Sequence, residues 1–229
     1  VDASAYGGSN LIIKDKITFI KDDNTTAQST ITGSANLNDI YEISIDAAGT
    51  TVANSGITAF ETYKITDGAA TTDVTATFTV ADGNVGYTNS STYETVTVDA
   101  TAIGASGDTI NINANAEQDG KIIIKGGDGA NTITISKSAN FGDTITAGAG
   151  NDTISLGAAS HLTKDDSIDG GTGDDTISLA AAGTLLDAAF TGVTNIKTVT
   201  SAADESFTGL TLGAEAAEAG ITNVILAGK

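Results

Sequence analysis

Cysteine, methionine, tryptophan, proline and arginine are all missing from these 229 residues, and histidine occurs once. Without cysteine there can be no disulfide framework, which fits a chain exported without cross-links. The single histidine, His161, has no cysteine or second histidine to complete a transition-metal site. It lies in the connection SHLTKDD, where a solvated loop residue is expected. The lack of arginine removes the usual reader of phosphates and bases, and no basic stripe replaces it, so nucleic acid is not an expected partner. No apolar run approaches the roughly 20 residues that a spanning helix needs, so membrane insertion is not expected either. Aromatic residues make up 5% of the chain, too few for a wide core. A narrow interior of Ile, Val, Leu and Ala is the expectation. The chain opens Val1-Asp2, which reads as a piece of something longer.

What is plentiful is negative charge. Ten basic residues, all lysine, stand against 29 Asp and Glu, for a formal net charge of −19. Such an excess disfavours compaction unless cations offset it.

The acids are ordered along the chain. Three copies of one short pattern read GGDGANTIT from Gly126, AGAGNDTIS from Ala147 and GGTGDDTIS from Gly170. Each sets a glycine-rich turn before Asn131, Asp152 or Asp175, then Thr, then Ile133, Ile154 or Ile177. Glycine lets the backbone turn its carbonyls inward, and a carboxylate supplies the anionic oxygen that Ca²⁺ prefers. One turn offers too few oxygens for an ion that takes six to eight, so neighbouring turns have to share it. Gly and Asp also make ordinary tight turns in β-rich proteins. Three copies in phase, each followed by Thr-Ile, favour the cation.

The spacing supplies the stack. Ile110, Ile133, Ile154 and Ile177 recur at a nearly constant interval, and Ile124, Ile145 and Ile168 interleave with them at the same period. The steps from 124 to 133, 145 to 154 and 168 to 177 are short, equal in length, and contain the turns. The return steps, from 110 to 124, 133 to 145 and 154 to 168, are longer and uneven. One coil is therefore a strand, a tight turn, a second strand and a looser return.

These copies resemble the glycine- and aspartate-rich nonapeptide, G-G-x-G-x-D-x-U-x, of secreted RTX proteins. The resemblance implies an all-β fold, a right-handed parallel β-solenoid or β-roll with about 21–23 residues per coil, binding Ca²⁺. It implies metal ligands among Gly126, Gly127, Asp128, Gly129, Asn131, Gly148, Gly150, Asp152, Gly170, Gly171, Gly173 and Asp175. This sequence departs from the pattern at Asn131, Ala147 and Ala149; a neutral amide at 131 weakens any ion held there. On the opposite side, NFGDTIT (140–146) and TKDDSID (163–169) keep an Asp and an apolar residue but lose the double glycine. Asp143 and Asp166 are candidate ligands there, on a weaker or empty ladder.

Towards the N-terminus, LIIKDKITFI from Leu11, IYEISIDA from Ile40, FETYKITDG from Phe60, VTATFTVADG from Val74 and YETVTVDA from Tyr93 alternate β-branched and polar residues. Each reads as a strand with one dry face. Segments beginning Gly56-Ile57-Thr58, Gly192-Val193-Thr194 and Gly220-Ile221-Thr222 suggest a second, weaker repeat. AAAGTLLDAAF after Leu179 reads as a short helix or a loop, and Ala214–Ala219 as a short helix stopped by Gly220. The expected division is a strand-repeat region over 1–101, the β-roll over 102–179, and a solenoid continuation or cap over 180–229.

No catalytic constellation is visible. Asp165-Asp166 and Asp174-Asp175 are adjacent pairs whose side chains would point to opposite faces of a strand, unlike a working acid and base. Lys121, Lys125 and Lys137 flank the first turn as ordinary surface charges. Thr132/Thr134 and Thr144/Thr146, with the Thr/Ser pairs Thr153/Ser155 and Thr176/Ser178, suggest outward ladders. The expected role is structural: a calcium-binding domain of a secreted surface-layer protein of a Gram-negative bacterium. Its expected partners are copies of itself in a lattice, neighbouring domains of the same chain, and cell-surface polysaccharide. An adhesin extender or binding module, a secretion and folding module of an exported hydrolase, and an ice-binding solenoid are the alternatives.

Overall fold

Alternation along the strands sets the architecture. In Ile40–Ile45 the side chains of Tyr41, Ile43 and Ile45 are buried and those between them are not; in Lys121–Lys125 the same holds for Ile122 and Ile124. A strand with one dry face has to bury it against another sheet. The computed structural model describes residues 12–17, 31–32, 39–45, 50–53, 57–58, 60–67, 73–82, 87–89, 92–93, 95–105, 107–137, 141–181, 183–201 and 207–226.

The dry faces belong to two parallel sheets, each of eight strands among the described residues, and from Ile40 to Ser201 the chain passes between them alternately. The first sheet runs Ile12–Ile17, Ile40–Ile45, Thr62–Asp67, Thr95–Ala102, Lys121–Lys125, Thr144–Thr146, Ser167–Asp169, Val193–Thr194. The second runs Thr50–Ala53, Thr75–Thr79, Thr109–Asn113, Thr132–Thr134, Thr153–Leu156, Thr176–Leu179, Thr198–Ser201, Asn223–Leu226. Both orders follow the sequence, so each coil hydrogen-bonds only to its neighbours, and the fold is a parallel β-solenoid.

Equivalent residues stack in columns. Ile124, Ile145, Ile168 and Val193 form one, and Ile112, Ile133, Ile154, Ile177 and Val199 face it from the second sheet. The period is as expected in all but one position: Ile112, not Ile110, stands opposite Ile133. Both isoleucines are buried in Thr109–Asn113, so spacing alone could not choose between them. The register is fixed by the backbone amide of Ile110, which donates to Asn131 Oδ1 at 3.2 Å.

The interior is not uniformly narrow. Tyr41, Phe60, Tyr63 and Phe78 are fully buried, with ring centroids 5.3 to 6.4 Å apart in tilted and edge contacts. Coil length also varies at this end: Tyr41 pairs with Tyr63 at the central spacing, but Thr109 Oγ1 reaches back 34 residues to Thr75 Oγ1 at 3.2 Å, and Phe78 pairs with Ile112 in the same register. The expected lining of Ile, Val, Leu and Ala holds from Val96 to Leu179, where the buried apolar residues are of these four types.

The strands expected from Leu11, Ile40, Phe60, Val74 and Tyr93 all form, while the polar cluster after Ile20 lies outside the described residues. The three Gly-apolar-Thr segments do not stack on one another. Ile57–Thr58 pairs with Ile31–Thr32, Val193–Thr194 belongs to the first sheet, and the register of the last strand sets Gly220 beside Asn195. After Leu179 the chain forms a short strand, Gly183–Leu185, and a 3-10 turn, Asp187–Phe190. A helix of one turn, Ala214–Glu218, ends at Gly220, whose φ is +94°. Asp187 holds that helix: its carboxylate accepts the amides of Gly213 at 2.7 Å and Ala216 at 3.0 Å from a neighbouring coil.

Candidate metal centre

Three turns carry the chain from the first sheet to the second over residues 126–131, 147–152 and 170–175. They stack on one another through backbone bonds. Ala149 N–H donates to Gly127 O at 3.3 Å, Thr172 N–H to Gly148 O at 3.1 Å, and Ala149 and Thr172 form a parallel bridge. The backbones are so close that a Cβ on Gly171 would come 1.9 Å from Gly148 O. The second and third turns share a conformation: Gly148, Gly150, Gly171 and Gly173 all have positive φ. The first turn does not, since Gly126, Gly127 and Gly129 keep φ outside that region.

At the end of each turn the Asx side chain points inward. Asn131, Asp152 and Asp175 are buried, and each spends one oxygen on the coil before it. Ile110 N–H donates to Asn131 Oδ1, Asn131 N–H to Asp152 Oδ1 at 2.7 Å, and Asp152 N–H to Asp175 Oδ1 at 2.8 Å. These bonds occupy the amides that would otherwise be left unpaired where a strand begins.

The second side-chain atom differs between the copies. Asn131 Nδ2 donates to Gly127 O at 3.0 Å and to Ala147 O at 3.1 Å, tying its own turn to the next. Asp152 Oδ2 and Asp175 Oδ2 are buried and have no hydrogen-bond partner among the described residues. Asp175 Oδ2 stands where Asn131 Nδ2 stands. A Cβ on Gly126 would lie 3.1 Å from Asn131 Nδ2 and 2.0 Å from Ala147 O, while one on Gly170 would lie 2.9 Å from Asp175 Oδ2 and 2.3 Å from Asn195 O. By the same register, Gly148 O and Gly170 O correspond for Asp152 to Gly127 O and Ala147 O for Asn131. An anionic oxygen among carbonyl oxygens is repulsive, and a buried charge without a partner costs several kcal/mol. A hard cation removes both penalties at once, and oxygen-only donors in stacked turns suit Ca²⁺. The site therefore fits calcium at Asp152 and Asp175, whereas the amide of Asn131 already places positive hydrogens between its two carbonyls.

The opposite side, where the chain returns to the first sheet, carries a second ladder with a different outcome. Asp143 Oδ1 accepts from Ile122 N–H and Oδ2 from Ser136 N–H, each at 3.2 Å. Asp166 Oδ1 accepts from Asp143 N–H at 2.8 Å, and Oδ2 from Thr163 N–H at 2.7 Å and Thr163 Oγ1 at 3.1 Å. Both oxygens of both residues are satisfied by the protein. A Cβ on Gly142 would meet Asp165 O at 1.7 Å, so this ladder is packed as closely as the other.

Burial raises the carboxyl pKa on both ladders. Asp152 is pushed up to about 7, and the charge of Asp175 adds to the effect. Asp143 is pushed up to about 6, mainly by burial, with Asp166 adding to it; Asp166 and Asp175 are raised for the same first reason. Lys197 moderates Asp175. Its ammonium contacts Gly173 O and the carboxylate of Asp174, at the C-terminal margin of the third turn.

The other expected positions fall as follows. Asp128 and Asp174 are exposed on the outer rim of their turns. Lys125 pairs with Asp99 in the adjacent coil at 3.7 Å. His161 is half-buried rather than solvated: it ends the 3-10 turn Ala159–His161, its Nδ1 has no hydrogen-bond partner, and burial lowers its pKa. The packing around Gly157, where a Cβ would lie 3.1 Å from the imidazole, encloses it. Sequence reasoning did not find Lys197 or Asn195, the latter at φ +58° with its amide on Asp169 Oδ1 at 2.8 Å. Neither falls within a glycine-rich copy.

A family model described as the RTX calcium-binding nonapeptide repeat (4 copies) matches residues 139–160 and 162–181. The match takes in Asp143, Asp152, Asp166 and Asp175, with the second and third glycine-rich turns and none of the first. No curated protein matches the chain, and no solved structure does.

Proposed function

From an RTX-type calcium-binding β-roll over residues 139–181, we propose a structural role: a domain of a secreted bacterial surface-layer protein in which calcium drives folding and lattice assembly. Calcium binding by these repeats and the parallel solenoid are the firm ground. The surface layer, the Gram-negative host and the lattice are the reading built on it. The chain's partners in this reading are further copies of itself and neighbouring domains, with cell-surface polysaccharide as an anchor.

One observation carries the calcium assignment within the chain. Asp152 and Asp175 each keep a buried oxygen without a partner, while Asp143 and Asp166 have none to spare. Asp152 and Asp175 are thus the side-chain ligands, with carbonyls from Gly148, Gly170, Gly171 and Asn195. Gly150 and Gly173 shape the turns. Asn131, with Gly126, Gly127, Gly129 and Asp128, marks where the ladder stops, and Asp143 and Asp166 hold the opposite edge together.

Calcium couples this site to folding. In low calcium the stacked carboxylates repel and lack counter-charge, and the chain loses the columns that depend on their alignment. At the roughly millimolar calcium outside a cell, weak extracellular-type sites fill and the coils close. Electron microscopy of the full-length protein with calcium added and removed tests the surface-layer role. Two-dimensional sheets that form only with calcium support it. Isolated rods or tandem beads in both conditions refute it.

A further inference from the structure

A second group of carboxylates meets away from the glycine-rich turns, where strands leave the second sheet. Thr75–Thr79 exits through Val80 to Asp82, and in the next coil Thr109–Asn113 exits through Ala114 to a tight turn over residues 115–120. A backbone bond joins these exits, Val80 N–H donating to Asn113 O at 2.9 Å, and another closes the turn, Glu117 N–H donating to Ala114 O at 2.9 Å. The turn wraps around the side chain of Glu117. Its Oε1 accepts Asp119 N–H at 2.8 Å and Gly120 N–H at 2.7 Å.

Glu117 is 0% exposed, yet its Oε2 has no hydrogen-bond partner among the described residues. A buried carboxylate with an empty oxygen calls for a counter-charge. Two more acids stand beside it, since one oxygen each from Asp82, Glu117 and Asp119 lie within 4.8 Å of one another. Small side-chain movements bring three oxygens this close together onto a single ion at about 2.4 Å, the usual Ca²⁺–oxygen distance. Their charges oppose one another when the ion is absent: Asp119 and Asp82 both add to the burial that raises the Glu117 carboxyl to about 7.

We propose that Asp82, Glu117 and Asp119 form a calcium site separate from the repeat turns, which pins two successive coils together at the exit of the second sheet. Three hard anionic donors with no imidazole or thiolate select Ca²⁺ over zinc or copper. Asp82 and Asp119 are exposed, so the remaining coordination positions are open to water. The location gives the ion a purpose. Asp82 stands where the chain departs on the long step from Phe78 to Ile112, and a cation there holds the start of that excursion to the coil that follows it.

The experiment counts ions. Equilibrium dialysis of the whole chain against 2 mM CaCl₂ (about the extracellular level), with elemental analysis, is compared between wild type and the variant D82N/D119N, whose changes lie on the surface. One calcium equivalent fewer in the variant, with unchanged circular dichroism, is the expected result, and an equal count overturns the proposal. E117Q, which keeps the shape of the buried turn, should lose the same equivalent. D152N separates this site from the β-roll: it should keep the equivalent that D82N/D119N loses, and a D152N/D82N/D119N chain binding as much calcium as D152N would overturn the proposal whatever the fate of the β-roll sites.

Discussion

The amide of Asp152 donates to Asp175 Oδ1 at 2.8 Å across two coils, leaving Asp175 Oδ2 buried and unpartnered. Each aspartate on this side thus serves two ends: one oxygen orders the neighbouring backbone, and the other waits for a cation. The aspartates of the two ladders differ in the fate of that second oxygen, and their expected responses to substitution differ accordingly.

Asp152→Ala should weaken calcium binding far more than Asp166→Ala. The first removes an oxygen that has no other use, and the second removes one already bonded to Thr163. Titration calorimetry should show at least a tenfold loss of affinity, about 1.4 kcal/mol, for Asp152→Ala. For Asp166→Ala the larger effect should be on melting temperature, through the unpaired amides of Asp143 and Thr163. A larger affinity loss for Asp166→Ala would place the ions on the wrong side.

Asn131→Asp reverses the substitution that ends the ladder. Without calcium it exchanges two amide bonds, to Gly127 O and Ala147 O, for repulsion, and should cost about 1–3 kcal/mol. Melting in chelator and in calcium checks this: the deficit should shrink when calcium is present, because the new carboxylate can take an ion. An equal deficit in both would mean that the first turn, whose glycines lack positive φ, cannot adopt the binding shape.

Acid should stabilise the calcium-free chain. Asp152 and Asp143 have folded-state pKa values raised to about 7 and about 6 from an ordinary 3.8, so the folded state binds more protons than the unfolded state between these limits. Their stabilisation is complete below about pH 4 and is lost as pH rises towards 7. In chelator the melting temperature should therefore be higher at pH 5 than at pH 8. Calcium binds the ionised form and should reduce or reverse the difference.

Gly171→Ala tests the stacking itself. Its φ of +85° disfavours any side chain, and the added Cβ would meet Gly148 O at 1.9 Å. The two turns would have to separate, with a loss of calcium affinity along with stability. Unchanged calorimetry and melting would show that the turns are not held at this distance in solution.

Much of this was legible in the sequence because the central coils keep a nearly constant length. Ile133, Ile154 and Ile177 recur at almost equal spacing, and the structure stacks them. Where insertions vary the coil length, the period disappears from the sequence: Tyr41 and Tyr63 still stack in register, but nothing in the spacing of Phe60 and Phe78 announced that they join the same aromatic cluster. Ile110 and Ile112 satisfy the same alternation, and only a hydrogen bond from outside the strand chooses between them. The amide of Asn131 is a subtler case. Its place in the motif marks it as a weak ligand, but one of the two carbonyls it bonds belongs to the next turn, and only the stack brings that carbonyl within reach. Asp82 and Glu117 belong to no motif, and the closure of a long coil brings them together.

The dependence of the fold on calcium, which completes the stacked turns, is tested most directly by far-UV circular dichroism melting of the chain in calcium and in chelator. More β-sheet signal and a higher melting temperature with calcium, saturating at up to about millimolar concentrations, are the predicted result. Equal spectra and equal melting temperatures in the two conditions would contradict it.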